Sequence, residues 1–390
     1  MREPTSTSDD PPAPAGPPPR NERSRRRRIA ATVGWTVGAL LLVVVLAGFF
    51  VHLPYVIISP GSATPLDQSV VTIEGAPTYG SAGNLLYLTV RVSGSDPNVW
   101  KYLTASIDPD QQVVKREAVV GCLSDADNVR YNADLMSQSQ DDATKVALER
   151  LGYTVTASAP RLTVIEACRG VPAAGALQVG DEIVAIDGKS VTDGAALAAA
   201  VRTFEPGHPI PVTVVRDGET RTVDVPTGEF VPDKRAGSGA RCAAPGVKGG
   251  TGEPCFGILL QSFVDYQFPI DVKFDLARIG GPSAGLAFTL AIIDDLTPGD
   301  LTGGARVAVT GTIAPDGTVG PVGGVEQKAI TARHQGVDLM IVPRAELKDA
   351  RAGAGDVRVV PVDSLDGALA ALQRHGGAAV PPPTTTAARS

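Results

Sequence analysis

The feature that most restricts how this chain can fold is an uncharged apolar run at residues 29–51, close to the N-terminus. At a helical rise of about 1.5 Å per residue the run spans roughly 34 Å, which is enough to cross a bilayer. Arginines at position 20, at position 23 and at 25–28 precede it directly. Positive charge marks the cytoplasmic side of a membrane helix. We therefore expect a single-pass anchor in the cell membrane, with the N-terminus cytoplasmic and the rest of the chain extracytoplasmic.

A cleaved signal peptide is the alternative interpretation of this run. The apolar core of a signal peptide is usually about 7–15 residues long and is followed by a cleavage site of small residues. The run here is longer, and the sequence GSATP at 61–65 is a poor cleavage site. The anchor is therefore the favoured interpretation.

Composition sets broad limits on the rest of the chain. A length of 390 residues leaves room for two or three domains. The net charge of −7 does not suggest a nucleic-acid partner. The leader at 1–28 and the tail at 376–390 have compositions typical of disordered segments, so we expect no fixed structure in either.

Residues 52–150 are the hardest to interpret. The stretches 85–92 and 111–121 have strand patterns, and 132–152 has the pattern of a helix that ends at a glycine. We expect a mixed α/β segment, but no catalytic cluster is visible in it, and the role of residues 67–145 stays open.

Residues 151–230 alternate strand patterns with one short helix. The distinctive part is GDEIVAIDGKSV at 180–191, where a short apolar strand lies between two turns. A helix pattern at 193–204 follows, and Asp217 and Gly218 then mark a hairpin between two further strands.

This segment resembles a PDZ domain of the bacterial protease type. Such domains bind an extended peptide as an added strand beside a helix. The resemblance implies a groove between the strand at 162–167 and the helix at 195–202. Residues expected to line it are Leu162, Thr163, Val164, Leu197 and Val201. The sequence TASAPR at 156–161 is not a clear carboxylate-binding loop, so recognition of a free C-terminus is not implied; a role as a rigid spacer is the alternative.

All four cysteines follow the anchor, in the compartment expected to be oxidising. Cys242 and Cys255 bracket a loop rich in Gly and Pro, which favours a disulfide between them and leaves Cys122 and Cys168 as the second pair. Four cysteines allow three connectivities, so other pairings stay open. Zinc is a competing interpretation, but no C-x-x-C pair occurs, and we expect no metal site.

The sequence GGPSAG at 280–285 places Ser283 directly before an apolar segment of helical length. Serine is a favoured N-cap, so a structural role is one interpretation. The other is a nucleophile, because unpaired backbone N–H groups at a helix start can hold an oxyanion. The residues expected to support such a nucleophile are Gly281, Ala284 and Gly285.

The sequence around Ser283 also fits G-x-S-x-G, the nucleophile elbow of α/β hydrolases. That interpretation needs an acid and a histidine later in the chain, and the candidates are Asp338 with His375 or Asp316 with His334. His334 lies in a helix of polar pattern and His375 lies beside the tail, so this class of hydrolase is not favoured.

A lysine can replace the missing histidine if burial lowers its pKa. Lys328 is the candidate, in the sequence GGVEQK at 323–328, where Val325 and Ala332 give a short helix an apolar side. On its own, a lysine in a helix is usually solvated surface.

Together, GGPSAG, VTGTIAPDGTVGPVGG and GGVEQK resemble the proteolytic domain of Lon peptidases over residues 265–345. The resemblance implies that Ser283 is the nucleophile, that Lys328 is the general base and that Thr310 orients the lysine. Thr312 stands where the family often has an acidic residue, so no role is transferred to it. The resemblance also implies a homo-oligomer.

The whole layout resembles membrane-anchored bacterial proteins with a PDZ domain before a Lon-type domain and without an ATPase module. LPYVIISPGSATPL at 53–66 and FPIDVKFDLARIGGPSAG at 268–285 carry this similarity. The GKS at 188–190 suggests a P-loop, but Ile183 stands where that motif needs glycine, so no nucleotide or other cofactor is expected.

We therefore expect an α+β protein with a single N-terminal transmembrane helix, a PDZ domain and a C-terminal Lon-type proteolytic α/β domain. The expected divisions are a leader (1–28), an anchor (29–51), a mixed segment (52–150), a PDZ domain (151–230), a linker with a Cys loop (231–256), a proteolytic domain (257–375) and a tail (376–390). The expected function is that of an ATP-independent, membrane-anchored serine endopeptidase acting on extracytoplasmic proteins or peptides. A non-catalytic adaptor or assembly scaffold at the membrane is the alternative.

Overall fold

The computed structural model of the chain describes residues 22–80, 84–233, 240–276 and 279–380. The helices are α1 (Glu22–Phe50), α2 (Val99–Ile107), α3 (Arg116–Val120), α4 (Asp125–Arg150), α5 (Gly194–Val201), α6 (Gly285–Leu296), α7 (Val325–His334), α8 (Leu347–Ala354) and α9 (Leu365–Arg374), with a 3₁₀ turn at Arg344–Glu346.

The strands are β1 (Tyr55–Pro65), β2 (Val71–Glu74), β3 (Leu85–Val92), β4 (Gln112–Lys115), β5 (Thr156–Ala157), β6 (Arg161–Ala167), β7 (Glu182–Ile186), β8 (Lys189–Ser190), β9 (Ile210–Arg216), β10 (Glu219–Val225), β11 (Gly228–Pro232), β12 (Ala240–Ala243), β13 (Pro254–Cys255), β14 (Ile258–Phe263), β15 (Tyr266–Gln267), β16 (Asp271–Phe274), β17 (Val307–Val309), β18 (Thr312–Ile313), β19 (Val319–Gly320), β20 (Leu339–Pro343) and β21 (Arg358–Val362).

The chain divides into two compact units, and the first contains α1, His52 and residues 98–100. Between Arg25 and Phe50, α1 is long and apolar enough to cross a membrane. Within this unit the Trp100 indole donates a hydrogen bond to the carbonyl of Val45 at 3.0 Å. The disorder predicted for the leader is wrong for residues 22–28, because the arginines there extend the helix; the rest of the leader lies outside the described residues.

The second unit is built on a six-stranded sheet in the order β21-β20-β17-β3-β1-β4. Strands β21, β20, β17 and β3 run parallel, whereas β1 pairs antiparallel with β3 and with β4. Strands from residues 55–115 therefore lie in one sheet with strands from residues 307–362. The mixed segment predicted at 52–150 is not a separate body: it supplies half of this sheet, and the PDZ region is inserted between its two halves.

Alternate residues of β3 face opposite sides of the sheet, and helices cover both sides. Leu85 and Tyr87 pack with α4, α6 and α9. Leu86 and Leu88 pack with α7 and α8. This is a three-layer α/β arrangement, and it puts the helix that follows Ser283 and the helix that carries Lys328 on opposite faces of the sheet.

The PDZ region forms a second sheet in the order β10-β9-β7-β6-β14, with the short β8 paired to β7 and with α5 packed on its core. Strand β14 comes from residues assigned by prediction to the proteolytic domain, yet it pairs antiparallel with β6 from Ile258 opposite Ala167 to Phe263 opposite Arg161. The predicted boundary between the two domains is therefore wrong at this strand.

Two disulfides lie in and beside the PDZ region. Cys122 is bonded to Cys168 with the Cα atoms 5.5 Å apart, and Cys242 is bonded to Cys255 with the Cα atoms 5.9 Å apart. This is the pairing favoured by the sequence. The segment predicted as a linker at 231–256 is not simply a linker, because β12 and β13 from it both pair with β11.

The chain stays ordered past α9. The N–H of Ala378 donates to the carbonyl of Asp300 at 2.8 Å, and Val380 packs against the main core. The disorder predicted from residue 376 is therefore wrong for 376–380, and the rest of the predicted tail lies outside the described residues.

Candidate active site

Ser283 lies in the turn that leads into α6, two residues before the helix begins at Gly285. The N-cap residue is Ala284, which makes no side-chain cap bond, so the interpretation of Ser283 as the cap is wrong. Ser283 is half-buried, and within the described part of the chain its hydroxyl has no hydrogen-bond partner. The side chain is therefore available for chemistry rather than used to stabilise the helix.

Backbone N–H groups near Ser283 differ in whether they are paired. The N–H of Gly281 donates to the carbonyl of Asn132 at 2.8 Å, and that of Gly285 donates weakly to the carbonyl of Pro282 at 3.3 Å. Among described residues, the N–H groups of Ser283 and Ala284 have no acceptor. These two donors, at the positive end of α6, are the candidates for an oxyanion hole.

Thr310 follows the carboxyl end of β17 and is fully buried. Its hydroxyl donates to the carbonyl of Ser283 at 3.2 Å, and the N–H of Gly311 donates to the same carbonyl at 3.0 Å. The two residues that follow β17 therefore fix the position of the Ser283 turn through its carbonyl.

Lys328 lies in α7 and is only 1% exposed. Its Nζ donates to the Thr310 hydroxyl at 3.0 Å. Burial lowers the pKa of Lys328 to about 8, and the nearby Glu346 carboxylate raises it by a smaller amount. The usual interpretation of a helical lysine as solvated surface is wrong here, and a substantial fraction of this amine is neutral near pH 8.

Together these bonds form one chain of contacts from Lys328 through Thr310 to the Ser283 backbone. The site lies beyond the end of β17, where Thr310 links the turn before α6 to Lys328 of α7. Gly324, at the start of α7, has a left-handed φ of 65°, and a Cβ there would lie 2.9 Å from the Val90 side chain of β3. This close approach to β3 helps to bury the lysine.

Three further residues at the site carry no signal in the sequence. One carboxylate oxygen of Glu346 accepts a hydrogen bond from the N–H of Val322 at 2.8 Å. The other carboxylate oxygen is buried without a hydrogen bond to any described residue. Burial raises the pKa of Glu346. Asn132 and Ser139 of α4 hold the serine turn, since the Ser139 hydroxyl donates to the carbonyl of Pro282 at 3.1 Å. The helix pattern of α4 is visible in the sequence, but the contact of Ser139 with Pro282, 143 residues later, is not.

The alternative catalytic triads are not formed. The Asp338 carboxylate accepts from the N–H of Arg306 at 2.9 Å, and that of Asp316 accepts from the N–H of Thr318 at 2.9 Å. His334 is exposed, and His375 is the C-cap residue of α9. In the ranges that the structure describes, none of these four side chains bonds to Ser283.

The strand edge of the predicted PDZ groove is occupied. Along β6 the backbone is already paired with β14, so no free strand edge is left for a peptide. The residues expected to line the groove are all buried, namely Leu162, Thr163, Val164, Leu197 and Val201. The edge of β6 on which a peptide would add as a strand is therefore occupied in this structure by a later strand of the same chain.

The GKS sequence lies in the strand β8 and the turn before it, not at the start of a helix. A P-loop presents its backbone N–H groups to phosphate at a helix N-terminus. This segment therefore lacks the geometry of a nucleotide site.

Comparison with known families identifies both regions. The PDZ domain model matches residues 149–227, and the model of the Lon protease (S16) C-terminal proteolytic domain matches residues 269–372. The chain thus carries a PDZ domain and a Lon-type proteolytic domain.

Individual relatives match only part of this chain. Lon protease 1 of Myxococcus xanthus is 30% identical over 118 residues, which are 29% of this chain and 14% of that protein. The Lon protease of Trichlorobacter lovleyi is 37% identical over 111 residues, 27% of this chain and 13% of that protein. The matched part is therefore a small fraction of these relatives. Among solved structures, the PDZ domain of the SdrC-like protein from Listeria monocytogenes is 21% identical, covers 26% of this chain and 86% of that one, and has a TM-score of 0.20.

Proposed function

We propose that this chain is an ATP-independent serine endopeptidase that uses Ser283 as nucleophile and Lys328 as general base. The observation that supports it most is the burial of Lys328, which lowers its pKa to about 8 while its Nζ is held by Thr310. A base needs a pKa near the working pH.

In the proposed reaction, neutral Lys328 accepts the Ser283 proton as the hydroxyl oxygen attacks the peptide carbonyl. The N–H groups of Ser283 and Ala284 stabilise the oxyanion. The C–N bond then breaks, and Lys328 gives its proton to the leaving amine. Water, deprotonated by Lys328, attacks the acyl carbonyl, and the ester bond to Ser283 breaks. Lys328 then returns the proton to the Ser283 oxygen, which restores the free serine and the neutral lysine.

We propose that α1 anchors the chain in the cell membrane and that the PDZ and proteolytic domains lie outside the cytoplasm. The arginines before α1 and its apolar composition support this orientation. The two disulfides support it as well, since disulfides persist mainly in oxidising compartments. Substrates are then extracytoplasmic proteins or peptides, and the PDZ domain selects a substrate or partner segment. The resemblance to Lon peptidases also suggests self-association.

Cleavage of an unfolded protein tests the proposal. Purified chain in detergent should degrade reduced and alkylated casein without ATP, and Ser283→Ala should abolish cleavage without changing the circular dichroism spectrum. Ser262→Ala, at an exposed serine of β14, is the matched control and should cleave at the normal rate. Full activity of Ser283→Ala would overturn the proposal.

A further inference from the structure

Strand β14 occupies the place where a PDZ domain binds its peptide. It runs antiparallel beside β6, and α5 packs on the core of the same sheet. Phe256 is buried, and Ile258 and Leu260 pack against the PDZ core, whereas the intervening Leu259 is 56% exposed. Backbone pairing with alternate side chains pointing inward is the way in which an extended peptide is bound by strand addition.

From this arrangement we propose that β14 is a built-in occupant of the PDZ groove, and that an extended peptide with apolar side chains at alternate positions displaces it. The inference rests on the recognition role proposed above for the PDZ domain, but it does not require catalysis by Ser283.

Strand β14 is only partly paired and packed in the groove. Strand β14 is the outer strand of its sheet, and its pairing is interrupted by a register shift between Leu259 and Leu260. Ile258 and Leu260 are only half-buried. A cavity of about 310 Å³, whose lining includes Leu197 and Val201 of α5, lies beside the strand. The groove therefore retains room for part of an incoming side chain before β14 has left.

The strand is also anchored at both ends, which limits how far it can move away. The Cys242–Cys255 disulfide fixes the residue just before Phe256. At the other end, the N–H of Val264 donates to Oε1 of Gln138 in α4 at 2.8 Å, and Nε2 of Gln138 donates to the Val264 carbonyl at 3.2 Å. Exchange would thus release residues 256–263 as a loop without separating the domains.

Helix α4 connects this strand to the serine turn. Tyr131 and Gln138, seven residues apart and hence on one helix face, bond to Gln261 and Val264 respectively. Asn132 and Ser139, one position further round the helix, bond to Gly281 and Pro282. Release of β14 removes the Tyr131 contact, so the change should be detectable at the serine turn.

Binding of a labelled peptide tests the exchange directly. The probe is a fluorescein-labelled synthetic peptide with the sequence of residues 256–263, FGILLQSF, and its scrambled form controls for partition into detergent. The protein is the full chain with Ser283→Ala, so that binding is measured whether or not the chain is a peptidase. Fluorescence anisotropy gives the affinity.

Leu260→Asp should weaken the internal strand and raise peptide affinity at least tenfold over the parent. Leu259→Asp, on the exposed face of the same strand, is the matched control and should leave the affinity unchanged. Equal affinities in parent, Leu260→Asp and Leu259→Asp would overturn the proposal.

Hydrogen exchange on the full chain with Ser283→Ala, the parent of both variants, gives a second test. This test does not depend on whether Leu260→Asp folds. Saturating FGILLQSF should reduce protection of the amides at 258–263 and of Gly281, while amides of β9, at 210–216, stay protected. Unchanged protection at 258–263 with peptide bound would show that the peptide does not replace β14 and would overturn the exchange.

Discussion

The Ser283 site and the PDZ groove both correspond to short sequence motifs. In the structure the residues of the first are linked to one another, whereas the strand edge of the second is occupied. At the first, Lys328, Thr310 and the Ser283 backbone are joined by hydrogen bonds of 3.0 and 3.2 Å. At the second, the strand edge expected to bind a peptide is paired with β14 of the same chain. A motif can specify the residues of a site, but whether a groove is open depends on where a distant segment pairs.

The largest expected effect is at the lysine. Lys328→Arg should lower kcat for casein cleavage about 1,000-fold, because a guanidinium stays protonated and cannot accept the serine proton. Lys348→Arg, at an exposed lysine of α8, is the control and should change nothing. A near-normal kcat in Lys328→Arg would show that Lys328 is not the general base, and the Ser283 site would then have no assigned base.

The same lysine should reduce stability. Its pKa in the folded protein, about 8, is below the ordinary value of 10.5, so between pH 8 and 10.5 the unfolded chain keeps a proton on this amine that the folded chain loses. Below pH 8 both states are protonated, and the folded chain carries the full cost of the buried charge. Lys328→Met should therefore raise the free energy of unfolding at pH 7, by roughly 3 kcal/mol at most. The gain should shrink as pH rises from 8 to 10.5, which urea titrations at several pH values would measure. A destabilised methionine variant at pH 7 would mean that the lysine is an ordinary structural residue.

We expect Thr310 to act as a positioning residue at the Ser283 site. Thr310→Val removes the hydroxyl that contacts both the lysine and the Ser283 carbonyl, and it should lower kcat about 10- to 100-fold with little change in KM. Thr310→Ser keeps the hydroxyl and should recover most of the activity. Equal losses in the valine and serine variants would indicate a packing role only.

Stability measurements also test the PDZ half of the comparison. Leu260→Ala should cost about 1–2 kcal/mol, because half of this side chain is packed on the PDZ core. Leu259→Ala removes a mostly exposed side chain and should change stability little. Equal effects in urea unfolding would mean that β14 is not seated in the groove as described.

The smallest effect is expected at Glu346. Its carboxylate raises the Lys328 pKa, so Glu346→Gln should lower that pKa and move the acidic limb of the kcat–pH profile to lower pH. We expect a shift of less than about one pH unit, since burial is the dominant cause of the Lys328 pKa. A shift to higher pH would show that the carboxylate does not act on the lysine.

The residues of the site are predictable from the sequence because they belong to separated motifs that recur in one order. Their environment is not predictable in this way. Lys328 is buried partly because α7 packs on β1 and β3, which come from residues more than 230 positions earlier. Hydrophobic periodicity identifies a strand such as β3 but does not identify its neighbour in a sheet.

Strand β14 shows the same limit more clearly. Its apolar residues are consistent with a strand of the proteolytic domain, and nothing local indicates that β6 is its partner. The pairing is determined by the competition between strand edges in the folded chain, and here the PDZ edge is the one that β14 covers. Both the inserted PDZ domain and the occupied edge of β6 follow from such long-range pairing.

The most direct test of the Ser283–Lys328 assignment is the pH dependence of covalent labelling. A peptidyl phosphonate that reacts with activated serines should modify Ser283 at a rate that rises through pH 8, as followed by intact-protein mass spectrometry. Labelling should be lost in Lys328→Met, which has no base to accept the proton. An equal labelling rate in the wild type and in Lys328→Met, or no labelling of Ser283 at any pH, would contradict the assignment.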